Sequence, residues 1–541
     1  NQCFAEAFNS NRKSSTTEPV HFGGSAELSD VEFTAEKVEK KLKGLRAASA
    51  PGPDDIHPRV LKEYAHELAE PLALIFTKSF QERTVPIDWK STNVTPIYKN
   101  KGNKQKAENY RPIHLASVQS KIMESIIKDA IIEHLQDNNC ILDSQHGFWP
   151  GRSVTTNLLD YLNVITTALD GDIPYDVVLI DFKRAFDRVP FDGMLAKVGA
   201  HGISGDLLGW IRDWTLGRRQ RVVLNGEHSE WIQVTSSVVQ GSVLGPILFL
   251  IYINCLDVAV RAQDEEILVS KFSDDSKIGK AIRHPRDTES LQQAIDNLSG
   301  WCDEWGMEIH PEKSMVIHFG HNNPNADYKI GHTTIAKAEG ARDLGVFIAN
   351  SCSTSEHVSN IAKKAHGVLS QLRRATTLRD STFAKLYQVY VRPLLEAAAP
   401  AWNPSKREDV NTLEKVQRRA LRMVTSLGKI SYHEKLNILG MQTLEARRGR
   451  GDQIQCHKII SGHGDMKSEK YFTFVQDRHD ANTRQHEENH IVMEKCKKNV
   501  RKNFFTNRII KEWNALPQEV KSAPSTNAFK NRYDEHVKSN L

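Results

Sequence analysis

The chain has 541 residues, of which 39% are hydrophobic, and a formal net charge of +5. This length allows about three or four domains, and the hydrophobic fraction is sufficient for real cores. The longest apolar stretch, around residues 243 to 253, is well short of the roughly 18 residues that a membrane helix needs. The N-terminal residues are polar and lack the apolar core of a secretory signal. We therefore expect an intracellular globular protein that does not associate with a membrane.

The cysteines and histidines give no sign of a structural metal site. The seven cysteines are scattered, with no C-x-x-C pair, which favours reduced thiols in an intracellular setting over disulfides or zinc knuckles. Residues 486 to 490 spell H-E-x-x-H, the pattern of zinc proteases. Its flanking residues are all polar and no third ligand is evident, so we interpret it as a chance match.

Composition and periodicity divide the chain into five regions. In chain order these are a flexible linker (1–33), a region of helices and short strands (34–172), a region in which strands alternate with amphipathic helices (173–350), a basic helical region (355–460) and a basic tail (461–541).

Aspartates follow two apolar runs in the region 173–350. Asp181 closes the run Val177–Ile180, and the pair Asp274-Asp275 comes shortly after the run Ile267–Phe272. Such runs, rich in Val and Ile, indicate buried strands, so the three carboxylates would meet at one edge of a sheet. A cluster of this kind repels itself unless cations fill it, and its hard oxygen ligands suit the Mg²⁺ ions of two-metal phosphoryl transfer. The alternative is that each aspartate is only a turn residue or a helix cap.

The sequence between these aspartates contains a loop punctuated by glycine. Residues 239–246 read VQGSVLGP and lead into the apolar run Ile247–Ile253. The glycines would let the backbone approach a ligand closely, although an ordinary loop before a buried helix would look the same. Beyond the second acid site, apolar residues at helical spacing predict an amphipathic helix: Leu291, Ile295, Leu298, Trp301 and Trp305.

Basic charge is concentrated in residues 355–460, which carry 19 Lys and Arg against 9 Asp and Glu. Leu413, Val416, Ala420 and Met423 are spaced as the apolar face of a helix. The other faces carry four cations: Lys415, Arg418, Arg419 and Arg422. A charged face is usually only solvated surface, but such an excess of positive charge also suits a track for nucleic-acid phosphates.

Short motifs follow one another in a specific order between residues 34 and 530. They are APGPD (50–54), NYRPI (109–113), QHGF (145–148), GRS (151–153), DFKRAFD (181–187), QGSVLGP (240–246), FSDD (272–275), WGM (305–307), HPEKS (310–314), DLGV (343–346), VRP (391–393), AWNP (401–404), LEARR (444–448) and WNALP (513–517). Each motif alone is weak, but the series resembles the reverse transcriptases of non-LTR retrotransposons, specifically the jockey-like branch of the LINE elements.

This resemblance implies an α+β right-hand polymerase fold. Its parts would be fingers (34–172), a palm with an RRM-like antiparallel sheet (173–350), a basic helical thumb (355–460) and a basic C-terminal region (461–541). The implied activity is RNA-directed DNA polymerisation with two Mg²⁺ ions, and the implied partners are template RNA, primer or target DNA, and dNTPs. An endonuclease is expected upstream and not in this chain, which begins at Asn1 rather than Met and is therefore expected to be a fragment. The nucleus, at the site of integration, is the expected location.

The resemblance also assigns roles to individual residues. Asp181 and Asp274 would hold the metal ions, with Asp275 as a lesser ligand. Phe186 would exclude a 2′-hydroxyl from the sugar pocket, unless it is simply a core residue, and Lys313 would protonate the leaving pyrophosphate, unless it is only solvated. The remaining assignments are Arg111 and Lys99 on the triphosphate, and Gln240 and Gly241 in the nucleotide and template-base pocket.

The chain departs from the family pattern at several positions. They are Ser273 in place of Ala, Val239 in place of Pro, Cys255 in place of Asp, His310 in place of Asn, His114 in place of Ser, and Trp149-Pro150 in place of basic residues. The last change would remove charge beside the nucleic acid. Because all the acids are intact, we expect an active polymerase. The departures leave open a second function, that of a catalytically silent nucleic-acid-binding remnant or recruited scaffold with the same fold.

Overall fold

The computed structural model describes residues 1–6, 8, 18–475 and 489–539, and it shows the predicted α+β class. The strands, in chain order, are β1 (Ser91–Tyr98), β2 (Tyr110–Leu115), β3 (Tyr175–Ile180), β4 (Arg219–Leu224), β5 (Glu227–His228), β6 (Ile232–Gln233), β7 (Leu268–Phe272), β8 (Asp275–Ala281), β9 (Met315–Phe319), β10 (Lys329–Ile330), β11 (Thr333–Thr334), β12 (Ala336–Ala338), β13 (Gly340–Asp343) and β14 (Val346–Ala349).

The helices are more numerous than the strands and lie throughout the described chain. Up to residue 305 they are α1 (Gln2–Ala5), α2 (Ala35–Lys43), α3 (Pro58–Glu63), α4 (Ala65–Gln81), α5 (Val118–Asp137), α6 (Val154–Asp170), α7 (Ala185–Arg188), α8 (Phe191–Ala200), α9 (Gly205–Thr215), α10 (Gly245–Ile253), α11 (Leu256–Val260) and α12 (Pro285–Trp305). Beyond it they are α13 (Ser355–Ala375), α14 (Ser381–Tyr390), α15 (Arg392–Glu396), α16 (Ala399–Trp402), α17 (Arg407–Arg422), α18 (Tyr432–Ile438), α19 (Leu444–Ile460), α20 (Asn499–Lys502), α21 (Phe505–Arg508), α22 (Ile510–Ala515), α23 (Gln518–Lys521) and α24 (Thr526–Ser539). Short 3₁₀ helices lie at Ile87–Lys90, Ala107–Asn109, Thr425–Leu427 and Ser468–Lys470.

A five-stranded sheet occupies the middle of the chain, with the strand order β12-β9-β3-β8-β7. All its pairs are antiparallel except β12 with β9. Successive residues of β3 enter two different cores. Val178 and Ile180 lie in one core with the apolar face of α12, whereas Tyr175 and Val177 lie in the other with α6. Burial on both sides explains why β3 is an almost continuous apolar run, and it confirms the predicted buried strands.

A second sheet lies earlier in the chain and has the order β2-β1-β4-β5, with β6 also paired to β4. Its β1 and β2 form an antiparallel hairpin, and β4 joins β1 in parallel. The hairpin carries Lys99, just after β1, and Arg111 within β2. The hairpin thus brings Lys99 and Arg111 close together, because Arg111 pairs with Ile97, two residues before Lys99.

Residues 18–33, which composition assigned to a linker, run along the central region of the fold. The backbone N–H of Leu28 donates to the Gly202 carbonyl at 2.8 Å, and the Phe22 ring stacks on His201 with centroids 4.9 Å apart. Val31 and Phe33 are buried. A few apolar side chains thus hold this segment against the core. The mostly polar composition of the segment does not reveal these contacts.

The C-terminal part of the chain packs around one core. Leu413 and Val416 of α17 share that core with Phe505, Trp513 and Phe529. The described residues of 461–541 are therefore a packed region rather than a loose tail, because aromatic side chains lie between the cations. No helix among the described residues is long and apolar enough to span a membrane. Of the H-E-x-x-H match, residues 486–488 lie outside the described residues.

Candidate active site

The structure brings the three aspartates to one edge of the central sheet. Strands β7 and β8 form a hairpin in which Phe272 pairs with Asp275, so that Ser273 and Asp274 make a two-residue turn. Strand β3 runs beside β8, and its last residue, Ile180, pairs with Ser276. Asp181 therefore follows β3 at the level of Asp275 and the turn. Each apolar run ends where the backbone leaves the core, so the carboxylates that follow the runs lie at the edge of the sheet.

The environment of these carboxylates opposes their ionisation. Burial raises the pKa of Asp274, and the charge of Asp181 adds to this increase. Burial and the charges of Asp274, Asp343 and Asp181 raise the pKa of Asp275 to about 6. Mutual repulsion of this kind is relieved by a bound cation. Within the described residues no group of three or more His, Cys, Asp or Glu side chains is placed so that it could hold a metal ion by itself, but Mg²⁺ commonly uses one or two carboxylates together with substrate phosphates and water.

Lys313 lies beside the first of these acids. Its Nζ is 4.0 Å from Oδ2 of Asp181. The backbone holds the two segments together, because the N–H of His310 donates to the Asp181 carbonyl at 2.7 Å and the N–H of Asp181 donates to Ser314 Oγ at 3.2 Å. The HPEKS segment is thus a neighbour of the acid site, as its predicted role requires.

Cations gather near the same edge. The pKa of Lys99 is lowered, first by burial and then by the charges of Arg111, Arg184, Lys101 and Lys313. Side chains from the first sheet, from the loop after β3 and from the HPEKS segment are therefore close enough to repel one another. Such a concentration of positive charge favours a polyanion such as a triphosphate. Arg184 belongs to this set although the sequence analysis did not select it; its place in the DFKRAFD motif was the available signal.

The predicted sugar-pocket residue Phe186 is half-buried and stacks on Phe249, with ring centroids 4.3 Å apart. Its carbonyl accepts a hydrogen bond from the N–H of Val238 at 2.8 Å. The contact ties the loop before α10 to the segment after β3. Phe186 therefore has one side packed against the core and is not fully enclosed, which is compatible with either of its two interpretations.

The glycine-punctuated loop is held by specific contacts. Gln240 Nε2 donates to Oδ1 of Asp187 at 2.6 Å, and burial raises the pKa of Asp187 to about 6. Gly241 has φ of +79°, and a Cβ at this position would lie 2.6 Å from the His114 carbonyl oxygen. The positive φ and the nearby carbonyl oxygen both exclude a side chain at this position, so glycine is required. The loop thus brings Gln240 and Gly241 against β2, while Asp187, which the sequence analysis did not single out, orients the glutamine.

Helix α17 has the two faces that the sequence predicts. Val416 and Ala420 are buried, whereas the four predicted nucleic-acid-binding cations are exposed: Lys415, Arg418, Arg419 and Arg422. None of the ion pairs found in the described parts of the chain involves these four side chains. Arg419 lies 3.4 Å from the His366 ring of α13, so the neighbouring helix, with exposed Lys363 one turn earlier, extends the basic surface.

One expectation about the departures from the family pattern was wrong. Trp149 does not stand where a basic side chain would face solvent. It is buried, and its indole N–H donates to Oδ2 of Asp465 at 2.8 Å. The side chain therefore joins two regions of the molecule, and its effect is on packing rather than on surface charge.

Comparison with known proteins shows what the part of the chain around the aspartates is similar to. Residues 98–354 match the family of reverse transcriptases (RNA-dependent DNA polymerases). The probable RNA-directed DNA polymerase from transposon BS of Drosophila melanogaster is 24% identical over 445 residues, which are 79% of this chain and 49% of that protein. The RNA-directed DNA polymerase from mobile element jockey of the same species is 22% identical over 401 residues, 72% of this chain and 44% of that protein. The chain thus spans about half the length of these curated relatives.

Proposed function

We propose that this chain is a jockey-like LINE reverse transcriptase and that it works as an RNA-directed DNA polymerase, which extends a DNA 3′-hydroxyl on an RNA template. The observation that carries the proposal is the meeting of Asp181, Asp274 and Asp275 at one sheet edge, with Nζ of Lys313 4.0 Å from Oδ2 of Asp181. Carboxylates for metal ions and cations for a triphosphate are the parts that nucleotidyl transfer needs.

In this proposal the central antiparallel sheet is the RRM-like palm and the first sheet with its helices is the fingers region, within 34–172. The helices of 355–460 are the thumb, and 461–541 is a further basic region packed on it. The palm assignment is supported by the pairing of β3 with β8, which places Asp181 at the level of Asp275 and the turn.

The donor set fits Mg²⁺, since all three candidate ligands are hard carboxylate oxygens on adjoining strand ends. Asp181 and Asp274 would hold two ions, and Asp275 would contribute less. When bound, the two ions activate the attacking hydroxyl and neutralise charge on the triphosphate. In the reaction the primer 3′-oxygen forms a bond to the α-phosphorus, the bond to the β-phosphate oxygen breaks, and pyrophosphate leaves.

The chain's own side chains would bind and orient the nucleotide. The guanidinium of Arg111 offers a planar donor fork to phosphate oxygens, and Lys99 adds a second cation. Lys313 stands near Asp181 and would donate a proton to the leaving pyrophosphate. Gln240 and Gly241 would line the nucleotide and template-base pocket, and the ring of Phe186 would exclude a ribose 2′-hydroxyl.

The partners in this proposal are template RNA, primer or target DNA, and dNTPs. The exposed cations of α17 would bind backbone phosphates without reading sequence. By analogy with elements that copy themselves at their insertion site, the place of action would be the nucleus. The silent-scaffold alternative has no specific structural observation in its favour, because every candidate metal ligand remains at the sheet edge.

Primer extension on poly(rA)/oligo(dT) with Mg²⁺ and dTTP tests the proposal. The purified chain should extend the primer. Asp274→Asn should abolish extension while the binding of the RNA–DNA duplex persists, because one charge leaves the acid cluster and the basic surface is untouched. Extension by the variant at the rate of the unaltered protein would refute the role of Asp274. Tight duplex binding by an unaltered protein that never extends would instead support the silent scaffold.

A further inference from the structure

The turn that carries Asp274 is held by a side chain from a distant part of the sequence. Oε1 of Gln145 accepts hydrogen bonds from the N–H of Ser273 at 2.9 Å and from the N–H of Gly147 at 2.9 Å. Gln145 is buried, with 1% of its surface exposed. Ser273 has φ of +60°, a conformation that costs a non-glycine residue energy and persists only where neighbouring groups impose it. One glutamine oxygen thus fixes the residue immediately before Asp274.

Backbone contacts extend this connection along β7. The N–H of Lys271 donates to the Ser144 carbonyl at 2.7 Å, and the N–H of His146 donates to the Lys271 carbonyl at 2.8 Å. Gly147 approaches the turn so closely that a Cβ there would lie 2.3 Å from the Ser273 nitrogen. The segment 144–147 therefore pairs with the outer side of β7 and closes over the turn.

Arg152 holds that segment in turn. Its Nη1 donates to the carbonyls of Leu142 at 3.2 Å, Asp143 at 2.9 Å and Gln145 at 2.8 Å. Only 4% of this side chain is exposed. Its Nε donates to Oδ2 of Asp465 at 2.9 Å, the oxygen that also accepts the Trp149 indole N–H. A carboxylate from the C-terminal region thus anchors the guanidinium that organises the segment.

We infer that Gln145, held by Arg152 and Asp465, is a positioning residue for the turn that presents Asp274, so that the region beyond the thumb braces the candidate active site. We name this chain of contacts the turn brace. Its catalytic consequence rests on the proposed function, whereas its structural consequence does not. Packing of the core does not by itself fix the direction of the Asp274 side chain, because the two-residue turn extends beyond the last residue pair of β7 and β8. A displacement of about 1 Å in a reacting constellation is enough to lower a rate about a hundredfold.

Hydrogen exchange on the metal-free protein tests the structural part. Gln145→Met removes the acceptor oxygen and keeps a similar volume, so exchange of the amides in the peptide covering 268–276 should become about tenfold faster. Gln145→Glu retains an acceptor oxygen, so exchange of the same amides should stay close to that of the parent protein. Gln136→Met, at an exposed position of α5, is the matched control and should change nothing. Unchanged exchange in Gln145→Met would overturn the inference.

Kinetics on Gln145→Met and on Asp465→Ala test the catalytic part. Removing partners that orient metal ligands typically lowers activity or metal affinity by about 10- to 100-fold. Gln145→Met and Asp465→Ala should therefore lower kcat and raise the Mg²⁺ concentration for half-maximal extension, with little change in the KM for dTTP and in the melting temperature. Asp137→Ala, another exposed acid, is the control for Asp465. A purely structural role would lower Tm and leave the Mg²⁺ requirement unchanged, which contradicts the inference.

The two measurements separate the inference from the proposed function. Faster exchange in Gln145→Met together with an inactive parent protein would retain the turn brace and refute the polymerase. Extension by the parent with normal exchange in the variant would retain the polymerase and refute the turn brace.

Discussion

Lys197 makes the stability of this protein depend on pH in an unusual window. The side chain lies on α8, is 2% exposed, and its Nζ donates to the Tyr252 carbonyl at 2.9 Å. Nζ is also 3.6 Å from the centroid of the Trp305 ring. Burial lowers the pKa of Lys197 from 10.5 to about 8, although Cys255 nearby opposes the change. The family resemblance predicts Asp at the position of Cys255, and an Asp there would supply a stronger counter-charge.

The size of the effect follows from that shift. A fall from 10.5 to about 8 corresponds to about 3 kcal/mol of preference for the neutral amine in the folded state. The aromatic rings attract the ammonium and offset part of this, which leaves about 1–3 kcal/mol. Between pH 8 and 10.5 the unfolded chain binds more protons than the folded one, so the free energy of unfolding rises with pH across this window. Below about pH 8 the amine is charged in both states, so the whole free-energy cost of burying the charge reduces the stability of the fold.

Urea denaturation of the parent, Lys197→Met and Cys255→Asp at pH 7.5 and at pH 10.5 measures this contribution. Other groups titrate in the same window, and the difference between parent and Lys197→Met cancels most of them. That difference should move in favour of the parent by about 1–3 kcal/mol as the pH rises. In Cys255→Asp the carboxylate should stabilise the ammonium and remove the increase. A difference between parent and Lys197→Met that stays constant with pH would refute a charged, buried Lys197.

Two further predictions concern the nucleic acid and the nucleotide. Replacing Arg418, Arg419 and Arg422 with Gln should reduce the slope of the logarithm of the duplex-binding constant against the logarithm of salt concentration by up to about three units. Lys538→Gln, on α24, is the control. An unchanged slope in the triple variant would show that the charged face of α17 is only solvated surface. Phe186→Ala should raise ribonucleotide incorporation about tenfold with little loss of dNTP use, because the steric cost falls only on the 2′-hydroxyl. A lower melting temperature with unchanged sugar selectivity would show instead that Phe186 only packs on Phe249.

Local sequence patterns predict the elements that carry the acids. Val177–Ile180 is apolar because both faces of β3 are buried, so the run alone indicates the strand and its end. The face of α12 that carries Leu291 and Ile295 is buried as its spacing predicts. In α17 the helical period separates buried Val416 from exposed Arg418. In each case the signal lies within a single element, so a short window of sequence contains it.

Contacts between distant segments were not predictable in the same way. Gln145 and Ser273 are 128 residues apart, and Arg152 and Asp465 are 313 apart. No periodicity connects such pairs, because they depend on how whole elements pack. The segment 18–33 illustrates the same limit on a smaller scale. Its polar composition indicates a linker, whereas Val31 and Phe33 find a core that only the complete fold supplies.

The location of the acids also explains why fold and activity can be lost independently. Asp274 lies in a two-residue turn beyond the last pair of β7 and β8, so the sheet and both cores would form with another polar residue at that position. Burial and the charge of Asp181 raise its pKa, which means that the carboxylate costs stability until a cation compensates it. A copy of the chain that lost Asp274 would fold at least as well and would keep its basic helix. A stable, nucleic-acid-binding protein is therefore no proof of polymerisation, and only turnover distinguishes the enzyme from a silent scaffold.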